Sequence, residues 1–353
     1  MTQQWNPTGG RFDVEPLENI NEVADLPDLA QLDEAQIYSI RSGNFAPDYI
    51  VPWAWDSSAG EYQEWRSTVD GRVIRDIPDT DADQIYEFDG HEIHVFESDG
   101  YVDANSQTEA DILLVGGGGG GGWNAGGGGG AGGLVYYEEY TIPEGQTDVT
   151  VGDGGLGGYN EDTRENYRSG TQGENSEFDT LTAIGGGPGQ GGSPVDGAVN
   201  ADGGSSGASS QNTDPSSNDA LQPGTNSGAT LDEGQEGSTT QGGDEGSGGG
   251  GAGESGSGAS GGNGGDGGAG IDMSDEFDTI IGEDGWFAGG GGGGADSTPG
   301  SGGVGGGADG SDDSNESDGP IENTGGGGGG ADDGTNFEGT KGADGIVAIK
   351  FEL

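Results

Sequence analysis

The sequence predicts an all-β protein in which short strands alternate with ordered glycine runs, and three observations carry that reading. Segments rich in Val, Ile and Tyr recur from residue 37 to 184 and return at the C-terminus, bounded by turn sequences such as Asp89-Gly90 and Pro143-Glu144-Gly145. Uninterrupted glycine runs begin where several of these segments end, at Val115-Gly116 and again at Ile184-Gly185. The 86 glycines of the 353 residues follow no strict three-residue period, which excludes collagen.

Along the chain, residues 1–36 form an acidic lead segment. Its weak apolar pattern (Val23, Leu26, Leu29, Leu32) is broken by Pro27 and fits either a short helix or an extended arm. Residues 37–80 read as a small β module built from Ile37–Arg41, Asp48–Trp55 and Glu61–Arg66. Such a module leans on a neighbour or on oligomerisation to bury enough surface. From residue 85 onward, Ile85–Phe88 and Glu92–Phe96 flank Asp89-Gly90 as a hairpin. Tyr101-Val102, Asp111–Val115, Leu134–Ile142, Asp148–Val151, Phe178–Ile184 and Gly345–Phe351 are the further strand candidates. Between 185 and 340 the chain is mostly Gly, Ser, Asp and Asn, with apolar islands at Phe277, Ile280, Ile281, Trp286, Phe287 and Phe337. The 193–247 stretch, richest in Ser, Asn and Asp, is expected to be a looser insert.

A lone glycine run should not fold, because ordering a residue costs about 1–2 kcal/mol of backbone entropy and Gly has no side chain to bury. Side by side, bare backbones in extended three-fold helices can approach closely and bond laterally, which answers where their N–H and C=O groups go. A strand also sets the direction of the run that leaves it. Ordered bundles are therefore expected for 116–133 and 289–330.

The 65 Asp and Glu against 9 Lys and Arg give a formal net charge of -56. That balance argues against direct phosphate-backbone binding, which needs cations. Acid spread along the whole chain, with Lys341 and Lys350 the only lysines, is the surface expected in near-saturated salt, where the Debye length falls to about 3 Å or less. With no Cys, disulfides, thiolate metal sites and cysteine nucleophiles are excluded. Neither an apolar run long enough to span a bilayer nor a secretory leader is apparent.

Two stretches resemble known families. Asp111–Val115 followed by poly-Gly, Trp123 and a second run, then Tyr140–Gln146, Val149–Gly155, Ile184–Gly187 and Gly345–Lys350, resemble in order the glycine-rich domains of viral tail fibres and adhesins. The resemblance covers roughly 85–353 and implies a jelly-roll-like β-sandwich with inserted polyglycine II helices. The segments Asp48–Ser57, Ala59–Arg66 and Asp70–Ile74 resemble a small module of haloarchaeal virus and provirus tail-fibre proteins.

Catalytic patterns are weak. His91 and His94, the two histidines, stand three apart on a strand and so on opposite faces, which suits surface residues better than a metal pair. Asp79-Thr80-Asp81-Ala82-Asp83 resembles the start of a calcium loop, but Gln84 and Gly90 replace its sixth-position Gly and twelfth-position Glu. This stretch and the Asp309–Asp318 run read as solvated acid with at most weak cation binding. No Gly-Lys-Ser or Gly-Lys-Thr phosphate loop occurs. Trp123, Tyr159, Tyr167, Trp286 and Phe287 lie beside glycine-rich stretches with little core to hide them. They are candidate receptor-binding aromatics, or else plugs at the ends of the bundles.

The expectation from these readings is a virion structural protein with no enzymatic activity, no cofactor, no nucleic-acid partner and no membrane insertion. It is a tail fibre or receptor-binding protein of a halophilic archaeal tailed virus. Residues 1–80 attach it to other virion proteins, and 85–353 contact a host cell-surface glycoprotein or glycan. A homotrimer is expected by analogy with viral fibres. Alternatives are a capsid or turret decoration protein and a cell-surface adhesin, the latter disfavoured by the missing leader. A polysaccharide depolymerase would require a convergent acid cluster in a groove.

Overall fold

The structure, a computed structural model, describes residues 4–6, 11–13, 38–40, 51–56, 61–64, 68–69, 72–73, 77–88, 90–159, 169–192, 199–211, 214–240, 244–312, 317–332 and 338–352. It divides into two compact units, the first ending at Arg75 and the second running from Asp76 to Glu352. In the first unit, β1 (Gln4–Asn6) pairs with β2 (Arg11–Asp13), where the sequence fits a short helix or an extended arm. The strands β3 (Tyr38–Ile40), β4 (Val51–Asp56) and β5 (Glu61–Glu64) form an antiparallel sheet, and β6 (Thr68–Val69) pairs with β7 (Arg72–Val73).

The second unit is all-β apart from one helical turn, and two antiparallel sheets face each other across its core. Its strands are β8 (Asp79–Thr80), β9 (Gln84–Phe88), β10 (His91–Phe96), β11 (Gly100–Ala104), β12 (Thr108–Val115), β13 (Leu134–Ile142), β14 (Gly145–Thr150), β15 (Ser176–Phe178), β16 (Leu181–Ala183), β17 (Leu231–Glu233), β18 (Ile271–Asp272), β19 (Trp286–Phe287) and β20 (Ile346–Glu352), with α1 at Ser274–Phe277. One sheet has the order β17-β13-β12-β20-β10-β9 and the other β16-β15-β14-β11-β8. Sequence reading assigned Asp79-Thr80 to the small module; as β8 they pair with β11 in the second unit.

The six-stranded sheet is buried on both faces, which is why β12 and β20 read as continuous apolar runs. Ile112, Leu114, Val347 and Ile349 point to the other sheet, where Val102, Val149, Phe178 and Leu181 meet them. Leu113, Val115, Ile346 and Ala348 point the opposite way, onto Met273, Phe277, Ile281 and Phe287. The short apolar island at 271–287 thus folds over the outer face of the sheet as a plug. A bulge keeps the pattern consistent along β13: Ala110 pairs with Tyr140 but Ile112 with Tyr137, so β13 carries one extra residue. Glu139 takes a left-handed φ of 55° there, and Val135 and Ile142 both reach the inter-sheet core despite their odd spacing.

His94 is a correction to the surface reading of the histidines. It lies at the core with 3% of its surface exposed, its Nδ1 2.7 Å from Thr80 Oγ1 and its Nε2 3.2 Å from Glu92 Oε2. Its ring meets Phe351 edge-on at 5.1 Å. Burial lowers its pKa below the usual imidazole value, against the opposing pull of Glu92. The calcium-like carboxylates are also engaged locally. Asp81 Oδ1 accepts the Tyr101 N–H at 2.6 Å, and Asp83 Oδ2 accepts the Glu97 and Ser98 N–H groups at 2.7 and 3.0 Å.

Candidate functional site: the loop end of the glycine bundle

The glycine runs leave the sheets and return to them, and their lateral bonds have a three-residue period. In run 116–122, the N–H groups of Gly116, Gly119 and Gly122 donate to Gly133, Gly130 and Gly127. Those of Gly117 and Gly120 donate to Glu174 and Thr171, and those of Gly118 and Gly121 to Ala343 and Thr340. Each run therefore addresses three neighbours in turn. Run 126–133 is fully surrounded: it donates to runs 325–331, 184–190 and 246–250, and accepts from 116–122, 205–208 and 291–294. At the glycine positions such packing leaves no room for a side chain. A Cβ built on Gly119 would lie within 3.0 Å of the Gly187 carbonyl, and one on Gly129 equally close to that of Gly119.

Where a run lacks a neighbour, a polar side chain takes its place. Asp344 Oδ1 accepts the Gly154 N–H at 2.8 Å, Asp309 Oδ1 that of Gly302 at 2.7 Å, and Glu283 Oε2 those of Gly305 and Gly306 at 2.6 and 2.8 Å. The 193–247 stretch, expected to be loose, supplies interior runs instead. Ser205, Ser206, Ser209 and Ser210 have no exposed surface, and Ser205 and Ala208 donate backbone N–H bonds to Ala131 and Gly128, each at 3.0 Å. Serine serves here because its side chain is small and its hydroxyl finds lattice acceptors, as Ser210 Oγ does at Gly191 O, 3.1 Å away.

The bundle has two distinct ends. At the sheet end, Gly116 bonds to Gly133, Gly133 to Ile184, Ala252 to Ala288, and Gly345 to Gly152. At the other end, Gly122 bonds to Gly127, Gly127 to Gln190, Ala331 to Gly122, Gly126 to Ala331, Gly294 to Gly126, and Gly246 to Gly294. The runs ending at Gly158, Gln190, Gly294 and Ala331 thus stop beside the 123–125 turn. Asn124 and Ala125 make that turn with left-handed φ values of 69° and 46°. Asn124 Oδ1 accepts from Gln211 Nε2 at 3.1 Å, tying two loops together.

This geometry separates the candidate aromatics. Trp123 sits at the loop end but is buried, so it acts as a plug there and the expectation of an exposed ring fails. Tyr159, following Gly158, is half-buried at the same end, where Gly158 donates to Gly121. Tyr167 lies outside the described residues. Trp286 and Phe287 stand at the sheet end, in the plug. Phe287 is fully buried against the six-stranded sheet, a correction with a plain cause: that sheet needs cover on its outer face. Sequence reasoning could not place these residues, since adjacency to a glycine run does not say which end of the bundle the residue occupies.

The family model of the glycine-rich domain matches residues 98–352. The chain belongs to this glycine-rich domain family. The match begins at the loop before β11 and closes on β20, so it contains every glycine run of the bundle and the strands that root them. A search of curated proteins finds no match to the chain. Among the described residues, no three His, Asp or Glu side chains converge as a metal-binding group. No helix among them is long and apolar enough to cross a membrane.

Proposed function

We propose that this chain is a surface-recognition protein that displays binding loops on a stiff glycine bundle, and, following the resemblance, that it is the receptor-binding part of a tail fibre of a halophilic archaeal virus. The observation that carries the reading is the division of the bundle: strands such as β12, β16 and β19 root runs at one end, and the ends of the runs at Gly158, Gln190, Gly294 and Ala331 gather around the 123–125 turn at the other. The period of three in the lateral bonds supports reading the runs as polyglycine II helices within a jelly-roll-like sandwich. At about 3.1 Å of rise per residue, the seven residues of 116–122 hold the loops roughly 20 Å from the sheets. Interior runs are conformationally constrained on every side, whereas loops change at little structural cost. Such a division suits a protein whose contact surface must vary while its support does not.

In this reading Tyr159, Tyr167 and the loops beside Trp123 contact a host surface glycoprotein or glycan, residues 1–80 join other virion proteins, and several copies act together as a homo-oligomer, a trimer by analogy with fibres. Binding of the full chain to cells of the source host, in high salt, tests it. Exchange of residues 159–169 for a short Gly-Ser linker should abolish cell binding while leaving the β-type circular dichroism intact. Full binding by that variant, together with full binding by a Gln211→Ala, Asn124→Ala double variant, overturns the loop-end assignment. Antibody label on capsid vertices instead of fibres would move the protein to the decoration class.

A further inference from the structure

We propose that Lys350 and Asp111 condense into an intramolecular amide that staples the closing strand to the strand from which the glycine bundle departs. Lysine is scarce in this chain, with only Lys341 and Lys350 against 65 acidic residues, and one of the two is largely buried. The two residues are direct partners in the β12–β20 register. Lys350 Nζ stands 2.8 Å from Asp111 Oδ2, with the side chains only 16% and 19% exposed. Nζ also donates to the Glu276 carbonyl at 3.0 Å and lies 5.4 Å from the centre of the Phe277 ring, so the plug closes over the pair.

The second carboxyl oxygen of Asp111 has a different environment. Oδ1 accepts the backbone N–H of Glu139 at 3.0 Å. That donor is aimed by the β13 bulge, where Glu139 holds its φ of 55°. One oxygen thus faces the amine while the other rests on a fixed donor, the arrangement that stabilises charge developing on a carbonyl oxygen during acyl transfer. The phenol of Tyr136 keeps its proton, its pKa raised by burial first, then by the nearby carboxylates of Asp111, Glu138 and Glu276.

The bond changes balance without an added reagent. A proton passes from the Lys350 ammonium to Asp111 Oδ2, giving an amine and a carboxylic acid. The Nζ lone pair attacks Cγ, and Oδ1 carries the negative charge against the Glu139 N–H. The Cγ–Oδ2 bond then breaks, and Oδ2 departs as water with two of the three original ammonium protons. What remains is a secondary amide between Nζ and Cγ. Glu276 positions the amine in this scheme through its backbone carbonyl.

The link would enclose residues 112–349, which include the bundle from Gly116 to Gly345. Pulling on the loops would then load a covalent root instead of two strand ladders. Mass spectrometry of the denatured full chain tests the proposal. The expected mass is one water below that of the sequence. Cleavage after Glu should yield a single species joining residues 110–138 to 339–352, since Glu109, Glu138, Glu338 and Glu352 bound those peptides. Lys350→Arg and Asp111→Ala should each show the full mass of their sequences. Full mass in the wild-type chain overturns the proposal. So does a water loss whose peptides are unlinked, as cyclisation at an Asp-Gly step would give. The wild-type reading does not depend on the variants folding.

Discussion

Replacing Gly119 by Ala adds one methyl group at the heart of the bundle, and its cost can be worked from the neighbours. The new Cβ would come within 3.0 Å of the Gly187 carbonyl and of the Gly186 oxygen, distances that Cβ atoms essentially never show. Both contacts are backbone, so no side chain can swing away. Run 184–190 must retreat from run 116–122, which breaks or stretches the bonds from Gly186 to Gly117 at 2.8 Å and from Gly189 to Gly120 at 2.9 Å. Losing two buried backbone bonds, at about 1–3 kcal/mol each when the partners stay buried, gives roughly 2–6 kcal/mol. Relief by distortion lies in the overpacking range of about 1–3 kcal/mol. The smaller unfolded-state entropy of Ala returns about 0.4–1 kcal/mol. The expected net loss is about 3–5 kcal/mol, a large part of the roughly 5–15 kcal/mol that holds an ordinary domain together. Denaturant unfolding in high salt measures it, with amide exchange at Gly117, Gly130 and Gly186 as the local readout. Ala131→Gly is the comparison: its methyl is already accommodated against the sheet, and removing it should cost about 1–2 kcal/mol. A Gly119→Ala chain within about 0.5 kcal/mol of wild type, with its amides still protected, would refute the close-packed bundle.

Three further outcomes are expected. Phe287→Ala should cost about 3–5 kcal/mol, because the ring is fully buried in the plug; a loss under about 1 kcal/mol would mean the plug is not part of the core. His94 has a folded pKa depressed by burial, so the unfolded chain binds the extra proton first; stability should be full above about pH 6.5 and fall as pH drops from there toward the lowered folded value. His94→Gln should flatten the unfolding midpoint between pH 7.5 and 6, and an unchanged slope would place the titration elsewhere. The charge of -56 predicts loss of β-type circular dichroism on dialysis below about 0.5 M salt, as the Debye length grows from about 3 Å at 1 M to about 10 Å at 0.1 M; an unchanged spectrum would sink that claim.

The strands were legible because their pattern is local. Leu134–Ile142, the hairpin around Gly90 and the closing strand read directly from β-branched and aromatic runs bounded by turn residues. Phe178–Ile184 was read as one strand and is a hairpin, β15 and β16, turned at Asp179 with φ 50°. Three apolar residues beside a two-residue turn carry too little periodicity to show it. The 193–247 stretch looked loose because polarity usually marks solvent. Its buried serines instead replace glycine where a hydroxyl has an acceptor, which no composition count can reveal.

By itself the sequence determined that the chain is all-β, that the glycine runs continue the strands, and that bare backbone is the only surface those runs can offer. These follow from the chemistry of each residue and its immediate neighbours. Only the tertiary structure decided which runs touch, that Trp123 and Tyr159 share one end while Trp286 and Phe287 cover a sheet at the other, and that Asp111 meets Lys350 across 239 positions. Glycine carries no side chain to encode a partner, so the order of packing is set by the strands that launch some of the runs and by the turns that join the others.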